Sequence, residues 1–147
     1  EGIEEISFIT SHPKNTTREL FELMRDCPKI KKQLHLPFQS GADRILKLMN
    51  RGYTREEYLE LVEFYKKTVG GVLGTDVIVG FPGESEADFL QTKELMEKIK
   101  FDYAYIFKYS PRPHTGAEKL TDDVPREEKE RRHRILLDLQ KEISLKA

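Results

Sequence analysis

The chain has 147 residues, 37% of them hydrophobic and 35% charged, which is enough apolar material for one core under a well-solvated surface. Its apolar runs are short, as in Val77-Ile78-Val79. A membrane span needs roughly 18 consecutive apolar residues, so no membrane role is expected. The formal net charge of −1 supplies no bulk attraction to a nucleic-acid backbone, and the single cysteine, Cys27, excludes an internal disulfide, a three-thiolate cluster or a cysteine-based zinc site. A reducing, cytoplasmic setting is the matching expectation. The chain starts Glu1-Gly2-Ile3 without a leader pattern, which reads as a piece of a longer protein.

In chain order, short strand patterns alternate with amphipathic stretches. The strand candidates are Ile3 to Thr10, Gln33 to Phe38, Val72 to Phe81 and Tyr103 to Tyr109, each rich in β-branched or aromatic residues and bounded by Gly, Pro or Ser. Helix starts are marked by Thr16-Thr17-Arg18-Glu19, Thr54-Arg55-Glu56-Glu57 and Ser85-Glu86-Ala87-Asp88, where a hydroxyl precedes a carboxylate by three residues and both can take orphan amide protons. The apolar stripes that follow are Leu20, Leu23 and Met24; Tyr58, Leu61, Val62 and Tyr65; and Phe89, Leu95, Met96 and Ile99. A short helix from Asp43 to about Asn50 follows the second strand. A last helix starts near Pro125 and runs toward Leu145, with Ile135, Leu136, Leu139 and Ile143 on one stripe and a charged first half that reads as a solvated, salt-bridged face.

About four βα units and a terminal helix predict an α/β fold in one domain, residues 1–147, with a parallel sheet that is either an open doubly wound sheet or part of a TIM-type barrel. Both architectures place ligands at the carboxyl ends of the strands. The segments there are Ser11 to Asn15, Gln39 to Asp43, Gly80 to Ser85 and Ser110 to Gly116, and all concentrate Gly, Pro and polar residues. Any one of these reads as an ordinary tight turn; four on one rim point to a ligand site.

The segments Phe8-Ile9-Thr10-Ser11-His12-Pro13, Leu34-His35-Leu36-Pro37-Phe38-Gln39-Ser40-Gly41, Met49-Asn50-Arg51-Gly52-Tyr53-Thr54, Thr75-Asp76-Val77-Ile78-Val79-Gly80-Phe81-Pro82-Gly83-Glu84 and Tyr109-Ser110-Pro111-Arg112-Pro113 resemble, in this order, the signatures of radical S-adenosylmethionine (SAM) methylthiotransferases. The forms of the first two are closer to the MiaB-type branch that modifies tRNA than to the branch that modifies a ribosomal protein. The resemblance implies the C-terminal part of a parallel-sheet partial barrel. In such enzymes a 4Fe–4S cluster cleaves SAM to a 5′-deoxyadenosyl radical, a second 4Fe–4S cluster supports sulfur insertion, and the product is the 2-methylthio derivative of N6-isopentenyladenosine beside the tRNA anticodon. The cluster ligands, the earlier barrel units, the preceding cysteine-bearing domain and a small RNA-binding domain have no counterpart here, so the chain alone is expected to be inactive.

Carried over by position, the resemblance implies SAM contacts at Gln39, Ser40, Gly41, Arg51, Asp76, Ile78, Gly80, Phe81, Glu84 and Tyr109, and contacts to the anticodon-loop substrate at His12, Ser110 and Arg112; no metal ligand is assigned. Arg51 suits a carboxylate by its two-pronged geometry and Tyr109 an unstacked base. His35, inside a strand, reads as a satisfied core histidine. Two readings stay open beside this one: methylthiolation of a ribosomal protein, and a non-catalytic α/β binding module. Loss of the earlier barrel units would also expose a strand edge able to pair with a second copy.

Overall fold

The computed structural model describes residues 2–8 and 11–147. In order it runs α1 (Arg18–Asp26), β1 (Gln33–His35), α2 (Asp43–Leu48), α3 (Arg55–Thr68), β2 (Val72–Val79), α4 (Glu86–Ile99), β3 (Tyr103–Lys108) and α5 (Arg126–Lys146). The strands form one parallel sheet in the order β1-β2-β3, with His35 opposite Gly74, Asp76 opposite Tyr105 and Ile78 opposite Phe107. Among the described residues no helix is long and apolar enough to cross a membrane.

Two helices start where hydroxyl caps are read in the sequence. Thr54 accepts the Glu57 amide, and Ser85 and Asp88 form a complete reciprocal capping box. At α1 the cap is Thr17, taking the Leu20 amide, one residue later than the Thr16–Glu19 spacing predicts. The helices bury Phe21, Met24, Tyr58, Val62, Tyr65, Phe89, Leu95, Met96, Ile99 and Leu136 against Leu34, Leu73, Val77 and Val79 of the sheet. On α1 the buried partner is Phe21, whereas Leu23 is 54% exposed.

The strands are shorter than the sequence pattern predicts. Pro37 lacks the amide a ladder needs, and β1 stops before it. The buried Thr75 hydroxyl fills this break by donating to Leu36 O and accepting from the Phe38 amide, after which Gln39 rejoins β2 in a bridge with Val77. The stretch from Ile3 is not a strand among the described residues. It makes one parallel bridge, Ile6 to Ile30, and Ile3 and Ile6 stay exposed, so no buried face fixes a longer pairing; Ile9 and Thr10 lie outside the described residues.

A second, smaller apolar cluster of Ala42, Ile45 and Phe81, flanked by Met49, Tyr109, Ala117 and Leu120, stands apart from the main core at the carboxyl ends of β1, β2 and β3.

Candidate functional site at the strand ends

Gln39 is the pivot of the site. Its backbone is left-handed, φ 67°, a conformation costly for a residue with a side chain, and it is held by bonds from its amide to Asp76 O and from the Ile78 amide to its carbonyl. The side-chain Oε1 is buried and has no hydrogen-bond partner.

Around it lie two adjoining cavities. One, of about 460 Å³, is lined by Gln39, Asp76, Ile78, Phe81, Tyr109, Ser110 and Arg112 together with Phe107, Lys108, Thr115 and Ala117. The other, of about 360 Å³, shares Gln39, Ile78, Phe81, Thr115 and Ala117 and adds Arg51 with its neighbours Leu48 to Asn50. Eight of the sequence-predicted residues thus meet on one cleft. A larger hollow of about 630 Å³ between α2 and the start of α3 takes in none of them. We place the site at the strand ends because an unpaired buried acceptor faces the cavities there and a parallel sheet presents its ligand-binding loops there.

The polar groups of the cleft are fixed by neighbours. Asp76 Oδ1 lies 3.0 Å from His35 Nε2, while His35 Nδ1 lies 3.2 Å from the Tyr103 hydroxyl and its ring stacks on Tyr103. His35 is therefore a satisfied histidine, as its place in the strand implies, and it also holds a wall carboxylate. Arg51 lies over the Tyr53 ring and donates from Nε to the Tyr53 hydroxyl, which itself donates to Phe38 O. That leaves the rest of the Arg51 guanidinium for an anion.

The remaining predicted residues do not line the cleft. The Ser40 hydroxyl is buried and accepts from the Ala42 amide, and Gly41 lies so close to α4 that a Cβ would stand 2.5 Å from Gln91 O. Gly80 has φ 75° and lies under the Lys129 side chain. Glu84 is buried behind it, with Oε1 accepting from the Gly80 amide and from Arg132 Nη1. Burial pushes the Glu84 carboxyl above its usual value against the opposing pull of those donors, and its Oε2 has no partner. His12 stands off the cleft, capping a 3-10 turn by accepting the Lys14 amide at Nδ1 and meeting Tyr53 edge to face. Burial, then the charges of Arg51 and Lys14, lower its pKa.

Two residues of this neighbourhood escape sequence reading. The charged first half of α5 is not a uniformly solvated face, because Lys129 and Arg132 are only 8% and 5% exposed. Both turn inward onto the loops that carry Gly80, Glu84 and Tyr109.

Parallel strands with helices over one face and a strand-end cleft define an α/β partial-barrel fold. Coproporphyrinogen III oxidase from Escherichia coli, described as a radical SAM enzyme, superimposes with a TM-score of 0.78 over 95% of this chain and 32% of its own, at 20% identity. The radical SAM superfamily model matches residues 1–96, and the chain belongs to that superfamily. Among curated relatives, tRNA-2-methylthio-N(6)-dimethylallyladenosine synthase of Acetivibrio thermocellus is 53% identical over 97% of this chain and 30% of its own length. The same enzyme of Aquifex aeolicus is 48% identical over 97% of this chain and 33% of its own. The chain thus spans about a third of the length of these relatives.

Membership implies SAM and a 4Fe–4S cluster in the parent enzyme. The cleft fits SAM: it offers a buried unpaired acceptor at Gln39, an apolar wall of Ile78 and Phe81, an anion at Asp76 and a cation at Arg51 for a ligand with amino, carboxylate and sulfonium groups. The cluster has no donor set here: Cys27 is the sole cysteine, and among the described residues no group of three or more His, Cys, Asp or Glu could hold a metal ion.

Proposed function

We propose that the chain is the C-terminal part of the radical SAM domain of a tRNA methylthiotransferase, acting on N6-isopentenyladenosine beside the anticodon. The single observation that carries the reading is the buried, unpartnered Oε1 of Gln39 at the junction of the two cavities. A buried acceptor left unmade costs about 1–3 kcal/mol, and a donor group of bound SAM would satisfy it. Relatives near half identical that carry the name of this synthase support the substrate.

In this reading Gln39, Asp76, Ile78, Phe81, Arg51 and Tyr109 contact SAM, which when bound supplies both the radical chemistry and the methyl group. Ser40, Gly41, Gly80 and Glu84 shape the loops behind those contacts. Ser110 and Arg112, with His12 further along the rim, face the anticodon loop. The chain's task is to orient SAM and exclude water while clusters bound elsewhere in the parent supply electrons and sulfur.

The test is the full-length protein with reconstituted clusters, given SAM, reductant and tRNA bearing isopentenyladenosine, with nucleosides read by mass. The 2-methylthio nucleoside is the expected product. Occupied clusters with no SAM consumption would refute the radical SAM role, and SAM consumption with unmodified tRNA but a methylthiolated ribosomal protein would refute the substrate.

A further inference from the structure

We infer that Lys129 and Arg132, the two buried cations of α5, are positioning residues that set the shape of the SAM cleft from behind; the inference rests on the SAM reading of that cleft. Neither touches the cleft itself, and each grips a loop that does. Lys129 Nζ donates to Tyr109 O at 3.3 Å and to Asp122 Oδ2 at 2.7 Å, and it lies 5.3 Å from the centre of the Tyr109 ring. Its methylenes fill the space beside Gly80 that a side chain at that position would need. Arg132 Nη1 donates to both Glu84 O, at 3.1 Å, and Glu84 Oε1, at 2.8 Å, and Glu84 Oε1 in turn accepts the Gly80 amide at 2.9 Å.

One helix therefore fixes the loop after β2 through Gly80 and Glu84 and the loop after β3 through Tyr109. Those loops bring Phe81 and Tyr109 together on the cleft. An exposed lysine keeps its freedom and its water. Lys129 has given up both for a main-chain carbonyl and a carboxylate, a placement that orders Tyr109 and that general surface solubility does not require. Arg132 is chosen over lysine by geometry, since one guanidinium spans a carbonyl and a carboxylate on the same residue while its Nε serves Glu128 Oε1 at 3.0 Å.

The experiment uses the full-length enzyme with reconstituted clusters and reads equilibrium SAM affinity, turnover at saturating SAM, tRNA affinity and melting temperature. Lys129→Met keeps the methylenes beside Gly80 and removes the ammonium; SAM affinity is expected to fall about tenfold, the scale of one lost charge-assisted hydrogen bond, with tRNA affinity unchanged and saturated turnover within about threefold. Arg132→Lys keeps the charge but, with one nitrogen, cannot hold Glu84 and Glu128 at once, so it lowers SAM affinity in the same way and tests the idea independently. Leu136→Ala, which opens the core under the same helix, is the structural control: it lowers the melting temperature and leaves SAM affinity as it was. Wild-type SAM affinity in both cation variants overturns the inference, and so does an equal loss of SAM affinity in Leu136→Ala. Failure of the wild-type enzyme to bind SAM at all overturns the reading beneath it, and the inference with it.

Discussion

Phe81 and Tyr109 meet edge to face, their ring centroids 5.1 Å apart and their planes at 72°, so the loops after β2 and β3 close on each other over the cleft. Such a pair contributes about 0.5–1.5 kcal/mol beyond its buried area. Phe81→Leu is expected to weaken SAM binding by roughly threefold to tenfold while moving the melting temperature less than Phe89→Leu does, because Phe89 lies in the main core. Calorimetric binding and thermal melts of the two variants check this; equal destabilisation by both would refute it.

Gln39 combines a left-handed backbone with an unsatisfied buried acceptor, so it weakens the fold in two ways. Gln39→Gly is expected to raise stability by about 1 kcal/mol, from relief of the left-handed strain, and to lower SAM affinity. Chemical denaturation and SAM titration of the same preparation give both signs. A variant less stable than wild type would show that relief of the left-handed strain does not outweigh the added freedom of glycine in the unfolded chain.

Burial works against ionisation of Asp88, yet hydrogen bonds from Arg44 and from the Ser85 amide and hydroxyl outweigh it and hold the pKa below its ordinary 3.8. The folded chain binds this proton less readily than the unfolded one. Its contribution is therefore present above 3.8 and is lost as the pH falls through the lower folded value. Asp88→Asn should cost about 1 kcal/mol at neutral pH, the usual worth of a helix cap, and the gap from wild type should close in acid. Melting curves from pH 6 to pH 2 test it; a constant gap would exclude ionisation as the cause.

His12 has its pKa lowered below 6.5 by burial and by the neighbouring charges of Arg51 and Lys14. The folded chain favours the neutral ring, in keeping with Nδ1 accepting the Lys14 amide. Its stabilising share is complete above 6.5 and declines as the pH drops toward the lowered value. In an NMR titration the His12 ring should change state below 6.5, and Arg51→Ala should move that midpoint upward. No movement would mean that the two groups do not sense each other.

Gly41→Ala would drive a methyl against Gln91 O and the Thr92 Cα, both backbone atoms of α4 that have no rotamer to yield. Overpacking of this kind costs about 1–3 kcal/mol. A drop in denaturation midpoint of that order is expected, and an unchanged midpoint would show that α4 shifts freely.

What the sequence reveals of this molecule follows how local each device is. The Ser85–Asp88 capping box lies within four consecutive residues, and its helix starts where the pattern predicts. The parallel order also follows from the alternation of strand and helix. The end of β1 turns on Pro37 and on a hydroxyl from Thr75, nearly forty residues away, and no periodicity announces that partner. The motif Gln39-Ser40-Gly41 marks a turn beside the cleft, but only packing against α4 separates the residue that lines the cleft from the two that lie behind it. Lys129 and Arg132 sit among alternating charges that normally mark a wet helix face. Their burial comes from Tyr109, Asp122 and Glu84, which the sequence does not place beside them.

The small cluster of Ala42, Ile45 and Phe81 shares no member with the main core, although it underlies the cleft. Substitutions at two of its flanks that also line the cleft, Met49 and Ala117, therefore act on the contour of the cleft with little cost to the helices and sheet that keep the chain folded. The apolar floor of the cleft and the main core are built from different sets of residues. An apolar exchange beneath that floor can therefore reshape the cleft while the packing of the main core stays as it is.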